Sequence, residues 1–230
     1  MPLYRRAVRQ AAAVSCVSQP LADYIKQCYQ PVGSVMVLES TVNTDFFCPH
    51  DKNQSRTALG LPPTAKLIGI GGALNKERGI TTLYEAFAKL SQADKKIHLV
   101  LAGKADKSSP LPQGERIHYL GELPFEKIPL LWNALDVAVI CVRDTVFGRY
   151  SFPQKTYEIV ACQTPVVAAA VGAMRDTLAC CSQCLYEPDD SNNLLEKLKA
   201  QLATPQLPNI EISTWQMQAK RLADLLIMRY

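Results

Sequence analysis

Four short apolar runs limit what this chain can fold into. They fall at residues 66–70, 98–102, 137–142 and 165–170, and their apolar residues follow one another instead of alternating with polar ones. Strands of that kind are covered on both faces, as in a parallel sheet flanked by helices. Weaker runs at 117–120 and 184–186 fit the same description. Between them lie longer amphipathic stretches. Ile80, Leu83, Phe87 and Leu90 recur at helical steps, as do Ile128, Leu131, Trp132 and Leu135, so each set lines one helix face. Pro129 suits the second of these helices only in its first turn. Asp190 reads as the N-cap of a helix carrying Leu194, Leu195 and Leu198. A last helix is expected over 214–228, with Met217, Leu222, Leu225 and Leu226 on its inner side. The alternation predicts one α/β unit over 65–202, a Rossmann-like doubly wound parallel sheet.

The rest of the chain does not belong to that unit. At ~150 residues per domain, 230 residues make about one and a half domains. The first 45 residues read as a helix (3–13), a strand (14–17), a helix (20–29) and a strand (35–38). A polar connector broken by Pro49 follows over 39–51. Two strands and two helices are too few for an independent sheet. The expected division is 1–45 as the closing piece of another Rossmann-like domain, 46–212 as a complete domain, and 213–230 as a helix returning to the first piece.

Charge and cysteines narrow the function. Lys and Arg number 25 against 21 acidic residues, and a net charge of +4 is too small and scattered for a nucleic-acid partner. The longest apolar run, 164–174, falls well short of the ~20 residues of a membrane span. The N-terminal residues lack the pattern of a signal peptide, so a soluble cytoplasmic protein is expected. Cys16, Cys141 and Cys162 lie in apolar segments, as small hydrophobes do. Cys180, Cys181 and Cys184 cluster without a His or a second pair, short of the four ligands of structural zinc. Plain thiols and no metal are the expectation.

In an open parallel sheet, ligands bind beyond the carboxyl ends of the strands. After the first strand comes Gly71-Gly72-Ala73-Leu74-Asn75-Lys76-Glu77-Arg78-Gly79. Glycines let a ligand approach the backbone, helix amides favour an anion, and Lys76 and Arg78 add positive charge. The segment is neither G-x-G-x-x-G nor a Walker loop, and alone it fits a tight turn with solvated side chains at least as well. Gly103-Lys104 and Leu120-Gly121-Glu122 follow the next strands as turns. A polar loop from Arg143 then leads to Ser151-Phe152-Pro153-Gln154-Lys155-Thr156-Tyr157-Glu158, with Pro153 suited to the first turn of a helix bearing Lys155 and Glu158. Such a pair is usually a surface ion pair. This helix runs straight into an apolar strand, so its Glu is expected to be partly enclosed. A carboxylate there suits a vicinal diol such as a ribose.

The stretch from Ser151 to Ala168, SFPQKTYEIVACQTPVVA, resembles the signature of retaining glycosyltransferases of family four (group one), roughly S-x-P-x-K-x-x-E-x-x-A-x-G-x-P-V-V-A. Three other segments resemble family stretches in the same order. They are VNTDFFCP from Val42, LNKERGI from Leu74, and YLG at Tyr119 continuing to ALDV at Ala134. The resemblance implies the two-domain GT-B fold. A nucleotide-sugar donor (UDP- or GDP-sugar) would lie in the C-terminal domain, and a glycan or lipid-linked acceptor mainly in the N-terminal one. It implies Glu158 on the ribose hydroxyls, Arg78 helped by Lys76 at the diphosphate, and backbone near Leu120 and Gly121 at the base. Amides near Ser151 and Phe152 would point at the β-phosphate, with Gly72, Lys104 and Lys155 also in the donor site. Charge growing on the leaving group would be stabilised by these cations and amides. The donor is a substrate, so no cofactor or metal is implied. Bacterial lipopolysaccharide or surface polysaccharide is the family-level product.

Some positions depart from the pattern. Tyr150 stands where many members carry a second Glu, Ala73 where the phosphate loop has Arg, and Gln163 where the signature has Gly. His50, His98 and His118 do not match the acceptor-side His, and His98, opening a buried strand, reads as structural. A nucleotide-binding or interaction module, half of a two-chain transferase, is the alternative reading. A dinucleotide-dependent oxidoreductase is disfavoured because no G-x-G-x-x-G follows the first strand. Arg5, Arg6 and Arg9 form a solvated helix face or a peripheral contact with an anionic membrane.

Overall fold

The computed structural model describes residues 2–152 and 154–227. Its strands are β1 (Ala13–Cys16), β2 (Ser34–Val37), β3 (Lys66–Gly71), β4 (Ile97–Ala102), β5 (Ile117–Gly121), β6 (Val137–Ile140), β7 (Val166–Ala169) and β8 (Leu185–Tyr186). Six of them form one sheet in the order β5-β4-β3-β6-β7-β8, with every pair parallel. Leu67, Ile68, Leu99, Leu101, Val137, Val139, Val166 and Val167 are wholly buried, because helices cover both faces. The helix Ile80–Ala93 buries Ile80, Leu83, Phe87 and Leu90. Pro129 lies in the first turn of the helix Ile128–Ala134. Asp190 caps Ser191–Ala203, accepting from the amides of Asn192 and Asn193 at 2.9 Å.

Three short helices have no apolar period and escape a pattern reading. Val146–Tyr150 replaces part of the expected polar loop, capped by the Thr145 hydroxyl. Ala173–Thr177 follows β7. Lys52–Ala58 is capped by Asp51 and exists to place Arg56, which is only 4% exposed. That guanidinium donates to the carbonyls of Ala134 (2.9 Å) and Pro63 (2.7 Å) and to Asp136 Oδ2 (2.8 Å). The same carboxylate oxygen accepts from the Leu67 amide at 2.7 Å, so one buried cation ties the start of β3 to the approach to β6.

β1 and β2 pair separately, parallel, over a small core of Cys16, Ala22 and Ile25. This N-terminal piece touches the larger unit by hydrogen bonds and by the packing of Tyr24 on Tyr150. Ser18 caps the helix Gln19–Tyr29 and donates its hydroxyl to the Tyr150 carbonyl at 2.8 Å. The Tyr157 hydroxyl donates to Glu39 Oε2 at 2.7 Å, and the Thr41 hydroxyl bonds the Ser213 carbonyl.

Two expectations are corrected. Cys181 and Cys184 are joined in a disulfide, not left as thiols, because the 3-10 turn Ser182–Cys184 folds them together with Cα atoms 5.3 Å apart. The last helix is present as Trp215–Ile227, with Met228 outside the described residues. Its apolar side is not an inner side: Met217, Leu222 and Leu226 are exposed, Leu225 is half-buried, and its one buried residue is Gln218. An apolar stripe becomes an inner face only where a second layer covers it. His98 Nδ1 lies 2.9 Å from His118 Nε2 with the rings stacked, a pairing between β4 and β5. Burial, and for His98 also Arg116, pushes both imidazoles below the ordinary histidine value. No helix among the described residues is long and apolar enough to cross a membrane.

Candidate functional site

The carboxyl ends of β3, β4 and β5 open onto a cavity of about 780 Å³. Gly71–Ala73 at the end of β3 and Ala102–Lys104 at the end of β4 form its floor. Glu122, Leu123 and Phe125 follow β5, and Trp132, Lys155 and Glu158 also line the cavity. A second cavity of about 260 Å³ shares Gly71, Ala73 and Lys155 with the first and straddles β3 and β6. The strand order reverses there, at the switch point where doubly wound sheets bind ligands. Arg78, Phe147, Ser151 and Phe152 line it. Of the residues singled out by sequence, Gly72, Lys104, Lys155 and Glu158 therefore meet in the larger cavity. Arg78, Ser151, Phe152 and Lys155 meet in the smaller one.

The floor is built from two interlocked turns. Gly72 (φ 122°) and Gly103 (φ 131°) adopt backbone that only glycine takes easily, and a Cβ on Gly103 would overlap the Gly72 carbonyl. The Gly103 amide donates to the Gly121 carbonyl at 2.6 Å, and the Tyr119 hydroxyl to the Gly103 carbonyl at 3.0 Å. Gly121 thus supports the turn, while Glu122 and Leu123, the residues after the expected Leu120-Gly121 contact, line the cavity.

The charged groups are restrained by their surroundings. Glu158, on the helix Lys155–Ala161, is partly buried and accepts from Trp132 Nε1 at 3.1 Å through Oε2. Burial pushes its carboxyl above the ordinary value, with the Trp132 bond and the Lys155 charge opposing. Lys155 Nζ donates to the Gly71 carbonyl at the end of the central strand. Burial pushes this ammonium below the usual lysine range; Glu158 opposes the shift, and Arg78 adds to it. The Arg78 guanidinium lies 4.7 Å over the Phe147 ring. Among the described residues it makes no ion pair, so its donors stay available at the cavity. Lys76 is exposed on the 3-10 turn Lys76–Arg78 that precedes Ile80–Ala93. Cys141 lines the smaller cavity, and burial pushes its thiol up to about 12.

The Ser151 amide does not point at a ligand as expected: it donates to the Phe147 carbonyl at 3.0 Å, because Val146–Tyr150 ends there. Pro153 lies outside the described residues. Tyr150, at the place of the family's second Glu, packs on Tyr24 with ring centroids 4.8 Å apart. Sequence reasoning missed Trp132, Phe125 and Phe147. Trp132 reads as a core residue, and its signal was the buried indole N–H, which needs an acceptor. Nothing along the chain marks Phe147 as the ring beneath Arg78.

The strand order and the cavities at the strand ends define a doubly wound α/β ligand-binding domain. The profile of the family described as Glycosyl transferases group 1 matches residues 65–204, more than half of the chain, and the chain belongs to that family. A D-inositol 3-phosphate glycosyltransferase of Mycolicibacterium gilvum is 30% identical over 173 residues, covering 68% of this chain and 37% of the relative. Among solved structures, the sucrose-phosphate synthase of Thermosynechococcus elongatus superposes with a TM-score of 0.80 at 21% identity, over 99% of this chain and 60% of that one. HepE of Anabaena, solved with UDP and glucose, superposes with a TM-score of 0.74 at 20% identity, over 96% of this chain and 64% of that one. The chain thus spans less than two thirds of each of these proteins, and the fold is that of GT-B glycosyltransferases.

Proposed function

We propose that this chain is the nucleotide-sugar donor-binding half of a retaining glycosyltransferase. The donor is a UDP- or GDP-sugar. The acceptor is a glycan or lipid-linked hydroxyl in the assembly of bacterial lipopolysaccharide or another surface polysaccharide. The observation that carries this reading is the joined pair of cavities. The larger has an apolar side of Leu123, Phe125 and Ile128 and a carboxylate with one oxygen uncommitted; the smaller has two cations. A nucleoside fits the first and a diphosphate the second. Glu158 Oε1 accepts from the ribose hydroxyls, and Lys104 and Gly72 border the same space.

During transfer the acceptor oxygen bonds the anomeric carbon as the bond to the diphosphate breaks. The diphosphate keeps that electron pair, and the acceptor proton is released. Negative charge therefore grows beside Arg78 and Lys155, with the exposed Lys76 adding to the field. Cations held in place before the reaction stabilise that charge more than they stabilise the ground state. This chemistry needs no metal or other cofactor. HepE, solved with UDP and glucose, supports a uridine donor. The setting is the cytoplasm, and Arg5, Arg6 and Arg9 form a solvated helix face.

Isothermal titration with UDP, GDP and their sugars tests the reading, and failure of all of them to bind at millimolar concentration overturns it. Closure of two domains completes such sites. The 230-residue chain alone is accordingly expected to bind donor with little or no transfer.

A further inference from the structure

A third cavity, of about 430 Å³, opens beside the one that carries Arg78 and shares Phe147, Ser151 and Phe152 with it. Its other walls include Val17, just past β1, and Val146 and Tyr150 of the short helix. Val146, Phe147 and Val17 are 73%, 60% and 42% exposed, so three large apolar side chains stand in water around one opening. Every lining residue is uncharged. Such a surface gains by losing water to an apolar group, whereas a bare sugar would find few polar partners on it.

We infer that this pocket takes an alkyl chain carried by the acceptor next to its accepting hydroxyl. The inference rests on the donor-site reading above. Its basis is continuity: the Phe147 ring supports the Arg78 guanidinium on the phosphate side and forms the wall of the apolar pocket as well. An acceptor hydroxyl must reach the sugar at the diphosphate end of the donor. The part of the acceptor adjoining that hydroxyl then lies against Val146, Phe147 and Phe152. The N-terminal piece supplies the facing wall through Val17, so the pocket lies between the two pieces, where a second substrate enters.

Methyl, hexyl and octyl β-D-glucopyranosides, kept below micelle concentration, serve as probes, titrated by NMR into the chain saturated with UDP. Affinity is expected to climb about three- to fourfold per methylene while carbons remain within the pocket. Val146→Asp, at an exposed first helical position, is expected to abolish the chain-length dependence and leave UDP affinity unchanged. Val17→Asp, on the opposite wall, is expected to do the same. Equal binding of methyl and octyl glucosides overturns the inference, as does a length dependence that survives both variants. Tighter binding of phenyl than of octyl glucoside overturns the alkyl assignment. UDP titrated alone reports on the donor reading separately. UDP binding without any length dependence sinks this inference and spares that reading. A Val146-dependent preference for octyl without UDP binding does the reverse.

Discussion

The indole N–H of Trp132 donates to Glu158 Oε2 at 3.1 Å, joining the helices Ile128–Ala134 and Lys155–Ala161 across the wall of the larger cavity. The indole also lies over Gly71, where a Cβ would come within 2.7 Å of the ring. One carboxylate oxygen is thereby held by the protein. The other has no protein donor among the described residues and borders the space where a ligand diol would sit. A fixed, half-buried acceptor loses little freedom on binding, which is the physical basis for giving Glu158 a large share of the affinity.

Glu158→Ala is accordingly expected to weaken UDP binding by roughly ten- to a hundredfold, the range for a hydrogen bond to a charged group. UMP should suffer to a similar extent, because the ribose is common to both. The variant should still melt cooperatively. Isothermal titration beside a thermal melt reads both quantities, and unchanged affinity would remove Glu158 from the site.

The same carboxyl makes a pH prediction of definite sign. Burial raises its native value above the unfolded one, so the folded state retains this proton over a window that begins at the ordinary carboxylate value. Stability from this group is lost as pH rises through that window. Glu158→Gln keeps an acceptor for Trp132 and removes the charge. It should melt higher than the parent near neutral pH, and the gap should close by about pH 3, where both states hold the proton. A gap that persists or widens on acidification would contradict the burial argument.

Arg78 and Phe147 should behave as a unit. Arg78→Ala is expected to cost UDP about tenfold or more in affinity and UMP less, since the diphosphate carries the charge. Phe147→Ala removes only the shelf, and should cost about two- to fivefold, the range of an exposed cation–π contact. The double variant should resemble Arg78→Ala alone. Additive losses would mean that Phe147 contacts the ligand by itself.

Arg56 tests the frame and not the site. Arg56→Ala removes a buried donor from two carbonyls and from Asp136, which keeps Lys52 and the Leu67 amide, and should cost about 1–3 kcal/mol in chemical denaturation. UDP affinity of the folded variant should stay near that of the parent, because Arg56 bonds groups at the start of β3 and the cavities lie at its carboxyl end.

The sheet was legible because its information is local. Consecutive buried residues such as Leu99–Val100–Leu101, and helical steps such as Ile80–Leu83–Phe87–Leu90, state which surface must be covered. The Asp190 cap is legible for the same reason, since its partners are two and three residues away. Lys155 and Glu158 stood out by their spacing before an apolar strand. Lys52–Ala58 did not, because its buried residues are the polar Ser55 and Arg56, and the partners of that arginine are seven, 78 and 80 residues distant.

What the sequence determined by itself is thus the strands and longer helices, their parallel character, and the strand-end segments that hold the candidate chemistry. Only the tertiary structure decided which of those segments share a cavity. It brought Arg78 over Phe147, 69 positions along the chain, and Lys155 against Gly71, 84 positions away. It also paired Cys181 with Cys184 and left the apolar stripe of Trp215–Ile227 exposed. Hydrophobic periodicity says that a surface seeks cover; whether cover arrives, and which polar groups meet beside it, depends on contacts between residues far apart along the chain.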